Sequence, residues 1–210
     1  MKNVKVKICG FTRVEDVLAA IDLGVDYLGF NFFAGSPRFL AEEKAREIFA
    51  EIPPTIPKVG VFVNEDLQRV LDLAIDLPLD FLQFHGDEAA EELNTLARPW
   101  FKALRIQGKS DLEKIPLYHS ECVLLDAYDP QSYGGTGQRL DWELVKEAKS
   151  YNKKIILAGG LNPSNIAAAI EAVEPFAVDV ASGVESEPGI KDVTLMERFI
   201  RNAKSHLHVV

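Results

Sequence analysis

The chain has 210 residues, 47% of them hydrophobic and 26% charged, which suits a sizeable buried core under a soluble surface. Its net charge of −9 argues against nucleic acid and anionic membranes, both of which attract basic patches. A phosphate ligand would have to be held by local backbone amides and helix ends, since the overall charge repels it.

The first residues alternate charged and apolar side chains, so no signal peptide is expected, and no apolar run approaches a membrane span. Cys9 and Cys122 read as reduced thiols, which fits a cytoplasmic protein.

Eight short apolar segments recur along the chain: 4–9, 27–31, 58–63, 80–85, 100–106, 122–127, 154–159 and 177–182. Amphipathic stretches lie between them, with Val17, Leu18, Ala20 and Ile21 at helical spacing over 14–23. Leu67, Val70, Leu71 and Ala74 form one face over 64–75, and the stretches 163–173 and 192–203 behave likewise. The segment 107–116 is too short for a full helix.

Strand alternating with helix predicts parallel strands and crossover helices. Eight units predict an α/β fold, a (β/α)8 barrel of the TIM type, with an open doubly wound sheet as the alternative. No linker divides the chain, so residues 1–210 are expected to form one catalytic domain. The Pro53-Pro54-Thr55-Ile56-Pro57 stretch reads as a helix-to-strand loop. A weak repeat of helix end, turn and strand appears at Gly24–Phe30, Leu77–Phe84 and Glu174–Val180. The longest loop, 128–139, carries Gly134-Gly135-Thr136-Gly137.

Polar and small residues close the strands: Cys9, Asn31, His85, Asp126, Gly159-Gly160 and Ser182-Gly183. In a barrel these ends share one mouth, where catalytic groups gather. Strand parity adds a second argument. Val4, Val6 and Ile8 should face the helices, turning Lys7 and Cys9 inward. Val178 and Val180 should do the same in the last strand, leaving Asp179 and Ala181 inside. First and last strands are neighbours in a closed barrel, so Lys7 and Asp179 are expected to pair. The Gly-rich turns at Gly159-Gly160 and Ser182-Gly183 follow strands seven and eight, where such barrels commonly bind phosphate.

Taken in order, several motifs resemble the phosphoribosylanthranilate isomerase family along the whole chain. They are Val6-Lys7-Ile8-Cys9-Gly10, Ser36-Pro37-Arg38, Gln83-Phe84-His85-Gly86, Leu124-Leu125-Asp126, the Gly134–Gly137 run, Leu157-Ala158-Gly159-Gly160-Leu161 and Val178–Glu185. Ala181 departs from the small hydroxyl residue of many relatives.

The resemblance implies an acid/base Amadori rearrangement of N-(5-phosphoribosyl)anthranilate in tryptophan biosynthesis, with no cofactor and no metal. Cys9 would be the general base and Asp126 the general acid. Arg38 would take the anthranilate carboxylate as a planar bidentate donor. His85, Gly159, Gly160, Asp179, Ser182 and Gly183 would line the substrate site.

The two catalytic groups need opposite tuning: burial to keep Asp126 protonated, positive charge to bring Cys9 toward the thiolate. Lys7 could supply that charge, though a pairing with Asp179 would blunt it. Cys122 begins its strand away from the mouth and is assigned to packing, and His206 and His208 carry no expected role.

The partner is a small phosphorylated substrate, with the oligomer open between monomer and homodimer. Other phosphosugar barrels are rivals. An epimerase would need metal ligands on several strand ends, and an indole-glycerol-phosphate synthase a lysine acid. A non-catalytic phosphate-binding barrel would keep the Gly-rich turns but would not need both Cys9 and Asp126.

Overall fold

In the computed structural model, residues 4–127 and 141–205 are described. Eight parallel strands close into a barrel in chain order: β1 (Lys5–Cys9), β2 (Tyr27–Asn31), β3 (Lys58–Phe62), β4 (Phe81–Phe84), β5 (Trp100–Ile106), β6 (Cys122–Ala127), β7 (Lys154–Leu157) and β8 (Ala177–Val180). The closing contact sets Lys5, Val6, Lys7 and Ile8 opposite Ala177, Val178, Asp179 and Val180. That register excludes the open-sheet alternative.

Helices α1 (Val14–Asp22), α2 (Glu42–Ala50), α3 (Leu67–Asp76), α4 (Ala90–Leu93), α5 (Lys109–Leu112), α6 (Trp142–Ala148), α7 (Ile166–Val173) and α8 (Val193–Lys204) follow the strands in turn. A small antiparallel hairpin, β9 (Glu185–Glu187) with β10 (Ile190–Lys191), lies between β8 and α8. Patterning at 3.6 residues did not reveal the one-turn helices α4 and α5. The Gly134–Gly137 run, His206 and His208 lie outside the described residues.

Two apolar layers follow from strand alternation. Val6, Ile8, Leu28, Phe30, Leu82, Phe84, Val123, Leu125, Val178 and Val180 point out and pack against the helices. Val59, Phe101, Ala103, Leu124, Ile156, Ala158 and Ala177 fill the barrel interior, and Cys122 packs with them. Of the residues expected to face inward on α1, Leu18 instead lies in solvent at 41% exposure, while Asp16, Val17 and Ala20 are buried. Asp16 earns its burial by accepting from the Lys191 amide.

The weak repeat has a physical basis at the opposite, N-terminal end of the barrel. Asp26 and Asp80 stand just outside their strands and each pins the start of the strand before. The Asp26 amide donates to the Val6 carbonyl while its carboxylate accepts from the Val6 amide at 2.9 Å. The Asp80 amide donates to the Lys58 carbonyl while its carboxylate accepts from the Lys58 amide at 2.8 Å. Several helix starts are fixed by side-chain caps: Asp66 accepts from the Arg69 amide, Asp141 from Glu143 and Asp192 from Leu195. The result is a rigid frame whose other end, where the strands finish, is free to carry the polar residues.

Candidate active site

Lys7 and Cys9 occupy inward positions of β1, since their neighbours Val6 and Ile8 join the outer layer. The Lys7 ammonium meets Asp179 Oδ1 at 2.9 Å inside the barrel, with side-chain exposures of 3% and 9%. Asp179, expected to line the substrate site, is in this structure the partner of Lys7. Room for this cluster comes from Gly29, the residue of β2 opposite Cys9. A β-carbon there would stand 2.8 Å from Cys9 Sγ and 3.0 Å from Lys7 Nζ. Glycine inside a strand often marks such an approach, and this is the signal by which Gly29 can be found in the sequence.

Gly29→Ala is expected to push the thiol and ammonium apart. The expected result is a loss of kcat/KM of about 100-fold, the usual scale for an ångström-sized displacement of a reacting group. Steady-state kinetics beside a thermal melt will check it, the melting temperature falling far less than a buried-charge deletion would cause.

Burial raises the Cys9 thiol above its ordinary range; Lys7 and, less strongly, Lys191 pull it down, but Asp179 offsets part of that. Lys7 was expected to draw the thiol toward the thiolate with its effect blunted by Asp179; that pairing is present, and in the free protein burial outweighs the pull that remains. A raised pKa means less thiolate at any given pH. Alkylation of Cys9 by iodoacetamide should therefore rise with pH through a midpoint above the ordinary thiol value of about 8.5. Cys122, itself pushed up to about 11 by burial, is replaced by alanine for this measurement. A midpoint below 8 would contradict the balance described.

Asp126 is the last inward residue of β6, buried at 6% exposure. Gln83 on β4 and His85 just past its end follow the inward Phe81 at two-residue spacing, and both are buried. His85 Nε2 approaches Asp126 Oδ2 to 3.4 Å without hydrogen-bond alignment, and His85 Nδ1 lies 3.1 Å from the Gln83 amide nitrogen. Arg105, opposite Asp126 in the β5–β6 register, bonds Asp87 at 2.6 Å.

The turn after His85 is held from behind. Glu88 accepts from the Asn64 and Gly86 amides, and the buried Lys102 ammonium donates to the Phe84, Gly86 and Ala103 carbonyls. Burial lowers the Lys102 pKa against the opposing charge of Glu88, 3.1 Å away.

Arg38 does not wait in solvent. Its Nε and Nη2 grip Glu185 in a two-pronged pair at 2.9 and 2.7 Å. Glu185 in turn holds Lys191, whose ammonium also donates to the Cys9 carbonyl, each at 2.6 Å. Burial alone would raise the Glu185 carboxyl, but Arg38 and Lys191 hold it below the usual carboxylate range. This chain joins the loop after β2, the end of β1 and the β9–β10 hairpin. Lys191 is beyond reach of sequence reasoning, since nothing local distinguishes it from a surface lysine. Asn31, another strand-end residue, accepts from the Phe33 amide and so acts as a turn residue.

Gly159 and Gly160 turn the chain after β7 with φ of 86° and 65°, leading into α7. Ser182 and Gly183 form a single 3-10 turn after β8. The two turns touch: a β-carbon on Gly183 would fall 1.9 Å from the Leu161 carbonyl oxygen. Only glycine permits this approach, and it merges the two turns into one surface at the mouth.

Among the described residues, no group of three or more His, Cys, Asp or Glu residues gathers as a metal site. No helix among them is long and apolar enough to cross a membrane.

Comparison with known proteins agrees with the barrel fold. The family described as N-(5'-phosphoribosyl)anthranilate (PRA) isomerase matches residues 6–202. The N-(5'-phosphoribosyl)anthranilate isomerase of Pseudomonas putida is 47% identical over 206 residues, covering 97% of this chain and 99% of that one. The crystal structure of phosphoribosyl anthranilate isomerase from Thermotoga maritima is 40% identical, covers 96% of this chain and 99% of its own, and superposes with a TM-score of 0.90. A further structure is of such an isomerase in complex with reduced 1-(o-carboxyphenylamino)-1-deoxyribulose 5-phosphate. It is 40% identical with a TM-score of 0.87, and covers 96% of this chain and 99% of that one. This chain belongs to the N-(5'-phosphoribosyl)anthranilate isomerase family.

Proposed function

We propose that Cys9 and Asp126 divide the acid/base work of this isomerase, within one catalytic domain spanning the chain. The reaction is the conversion of N-(5-phosphoribosyl)anthranilate to 1-(2-carboxyphenylamino)-1-deoxyribulose 5-phosphate, a step of tryptophan biosynthesis. The observation that carries the division is positional. Cys9 and Asp126 are the last inward residues of β1 and β6, three strands apart around one closed mouth.

Asp126 gives its proton to the furanose ring oxygen as the C1′–O bond breaks, and the anthranilate nitrogen lone pair forms the protonated Schiff base. Cys9 then takes the C2′ proton; the C2′–H electron pair becomes the C1′=C2′ bond and the C1′=N pair returns to nitrogen, giving an enolamine whose tautomerisation yields the ketone. No electrons leave or enter, so the reaction balances as an isomerisation. The raised thiol of the free protein fits this order. Ring opening creates a cation beside C2′, and that charge favours the thiolate at the moment a base is needed.

Substrate ends are held by separate loops. The paired turns Gly159-Gly160 and Ser182-Gly183 take the phosphate through backbone amides, suiting a chain whose overall charge is negative. Arg38 takes the carboxylate. Glu185 occupies its Nε–Nη2 edge, and the Nη1–Nη2 edge is the one left to pair with a second carboxylate. His85 lines the mouth between them, and Asp179 acts through Lys7. The reaction's protons come from side chains, without cofactor or metal.

The protein is proposed to be cytoplasmic, to act on a small phosphorylated substrate rather than nucleic acid or membrane, and to work as a monomer or homodimer. A Thermotoga maritima relative is described as dimeric. The test of the activity is a fluorescence assay following loss of phosphoribosylanthranilate when purified protein is added. No acceleration over spontaneous decay would remove the reading.

A further inference from the structure

Gln83 takes no part in the proton transfers above, yet it is 1% exposed inside the barrel and its Oε1 has no hydrogen-bond partner among the described residues. A buried amide left half-satisfied is costly, so its satisfied half carries the reason for its presence. That half is the contact of its nitrogen with His85 Nδ1 at 3.1 Å. We propose that Gln83 is a positioning residue that fixes the tautomer of His85, placing the ring proton on Nε2, where it faces Asp126.

The chemistry of the contact is one-directional. An amide nitrogen donates and does not accept, so Nδ1 must receive with its lone pair. A neutral imidazole then carries its single proton on Nε2. That atom is buried without a hydrogen-bond partner among the described residues, 3.4 Å from Asp126 Oδ2. A donor held in this way is poorly used by a protonated acid. It gains a full partner when Asp126 has passed its proton to the ring oxygen and become a carboxylate.

The arrangement is therefore complementary to the state after ring opening, which is how a preorganised donor lowers a barrier. With the amide turned over, Oε1 would accept a proton from Nδ1. Nε2 would then offer Asp126 only a lone pair, and the charged carboxylate would be left opposite an acceptor. Lys102 and Glu88 fix the turn behind the ring, while Gln83 meets the ring itself at Nδ1.

The inference rests on the reading of Asp126 as the acid, and the two fail separately. Nitrogen-15 NMR of ring-labelled histidine, with His85 assigned by its absence in His85→Asn, reads the tautomer without any turnover. The wild-type protein is expected to show Nδ1 bare and Nε2 protonated. Gln83→Met is expected to lose that preference and to lower kcat by roughly 10- to 100-fold, the worth of one hydrogen bond to a charged group. KM should stay within about threefold, because the contact matters only after ring opening.

A protonated Nδ1 in the wild type overturns the proposal even if Gln83→Met does not fold. So does an unchanged tautomer in Gln83→Met, or a changed tautomer with unchanged kcat. Full turnover by Asp126→Asn would instead sink the acid assignment, whatever the ring spectrum shows.

Discussion

Replacing Cys9 by alanine is expected to cut kcat by about 100- to 10,000-fold while leaving KM within a few fold, and Asp126→Asn is expected to do the same. That range is what a single positioned acid or base contributes. In the proposed assignment neither residue grips a substrate end, the carboxylate being given to Arg38 and the phosphate to the turns after β7 and β8. Losses confined to kcat therefore separate proton transfer from binding. The double variant should be little worse than the poorer single one, because once one transfer fails the other has nothing to act on. Stopped assays with purified variants at saturating substrate will settle the sizes. A non-catalytic phosphate-binding barrel would show neither loss, and retention of full turnover by both single variants would end the mechanism given above.

The barrel was legible in the sequence because its two periods were. Val4, Val6 and Ile8 alternate with Lys5, Lys7 and Cys9, and that alternation alone turns Lys7 and Cys9 inward. The same reasoning on β8 turned Asp179 inward, and closure then required the pair now seen at 2.9 Å. Strand ends stood out because polar groups interrupt apolar runs.

What stayed hidden depends on contacts between residues far apart in the chain. Glu185 and Arg38 are 147 positions apart, and Lys191 and Cys9 182. No local pattern announces either contact. Arg38 illustrates the cost of that blindness. Sequence reasoning offered it to the substrate or to solvent, whereas the fold places one edge of it on Glu185. Leu18 marks a different failure. Helical spacing cannot say which of two adjacent apolar residues meets the core, and Asp16 takes the buried place because a backbone amide of β10 needs an acceptor. Cys9's electrostatics were legible in their parts but not in their sum. Positive charge and burial oppose each other there, and only the three-dimensional surroundings decide between them.

The second large effect concerns Lys7 and Asp179, and here stability and activity are expected to part. Burial pulls the Lys7 ammonium toward neutrality, but the charge of Asp179, with a smaller share from Cys9, more than restores it and leaves its pKa raised. A raised lysine stabilises fully below its ordinary pKa of about 10.4, and that stabilisation fades as pH climbs through the higher folded value. At neutral pH the pair is thus intact.

Asp179→Leu leaves a buried ammonium without a counter-charge and should cost about 3–5 kcal/mol, as should Lys7→Met for the stranded carboxylate. The double variant removes both charges and replaces them with apolar groups of similar size. It should recover most of that loss, since a buried pair often does no better than a packed hydrophobic substitute. Chemical denaturation of the three variants gives the cycle directly, and additive losses in the double variant would contradict the pairing. Turnover should not follow. With Lys7 gone, the strongest pull bringing the Cys9 thiol down is gone, so the rescued double variant is expected to fold well and remain slow. A double variant that regained both stability and rate would mean that the pair only fills space. One that regains stability alone assigns the pair to Cys9: a charge kept inside the barrel for the thiol's sake rather than for the fold's.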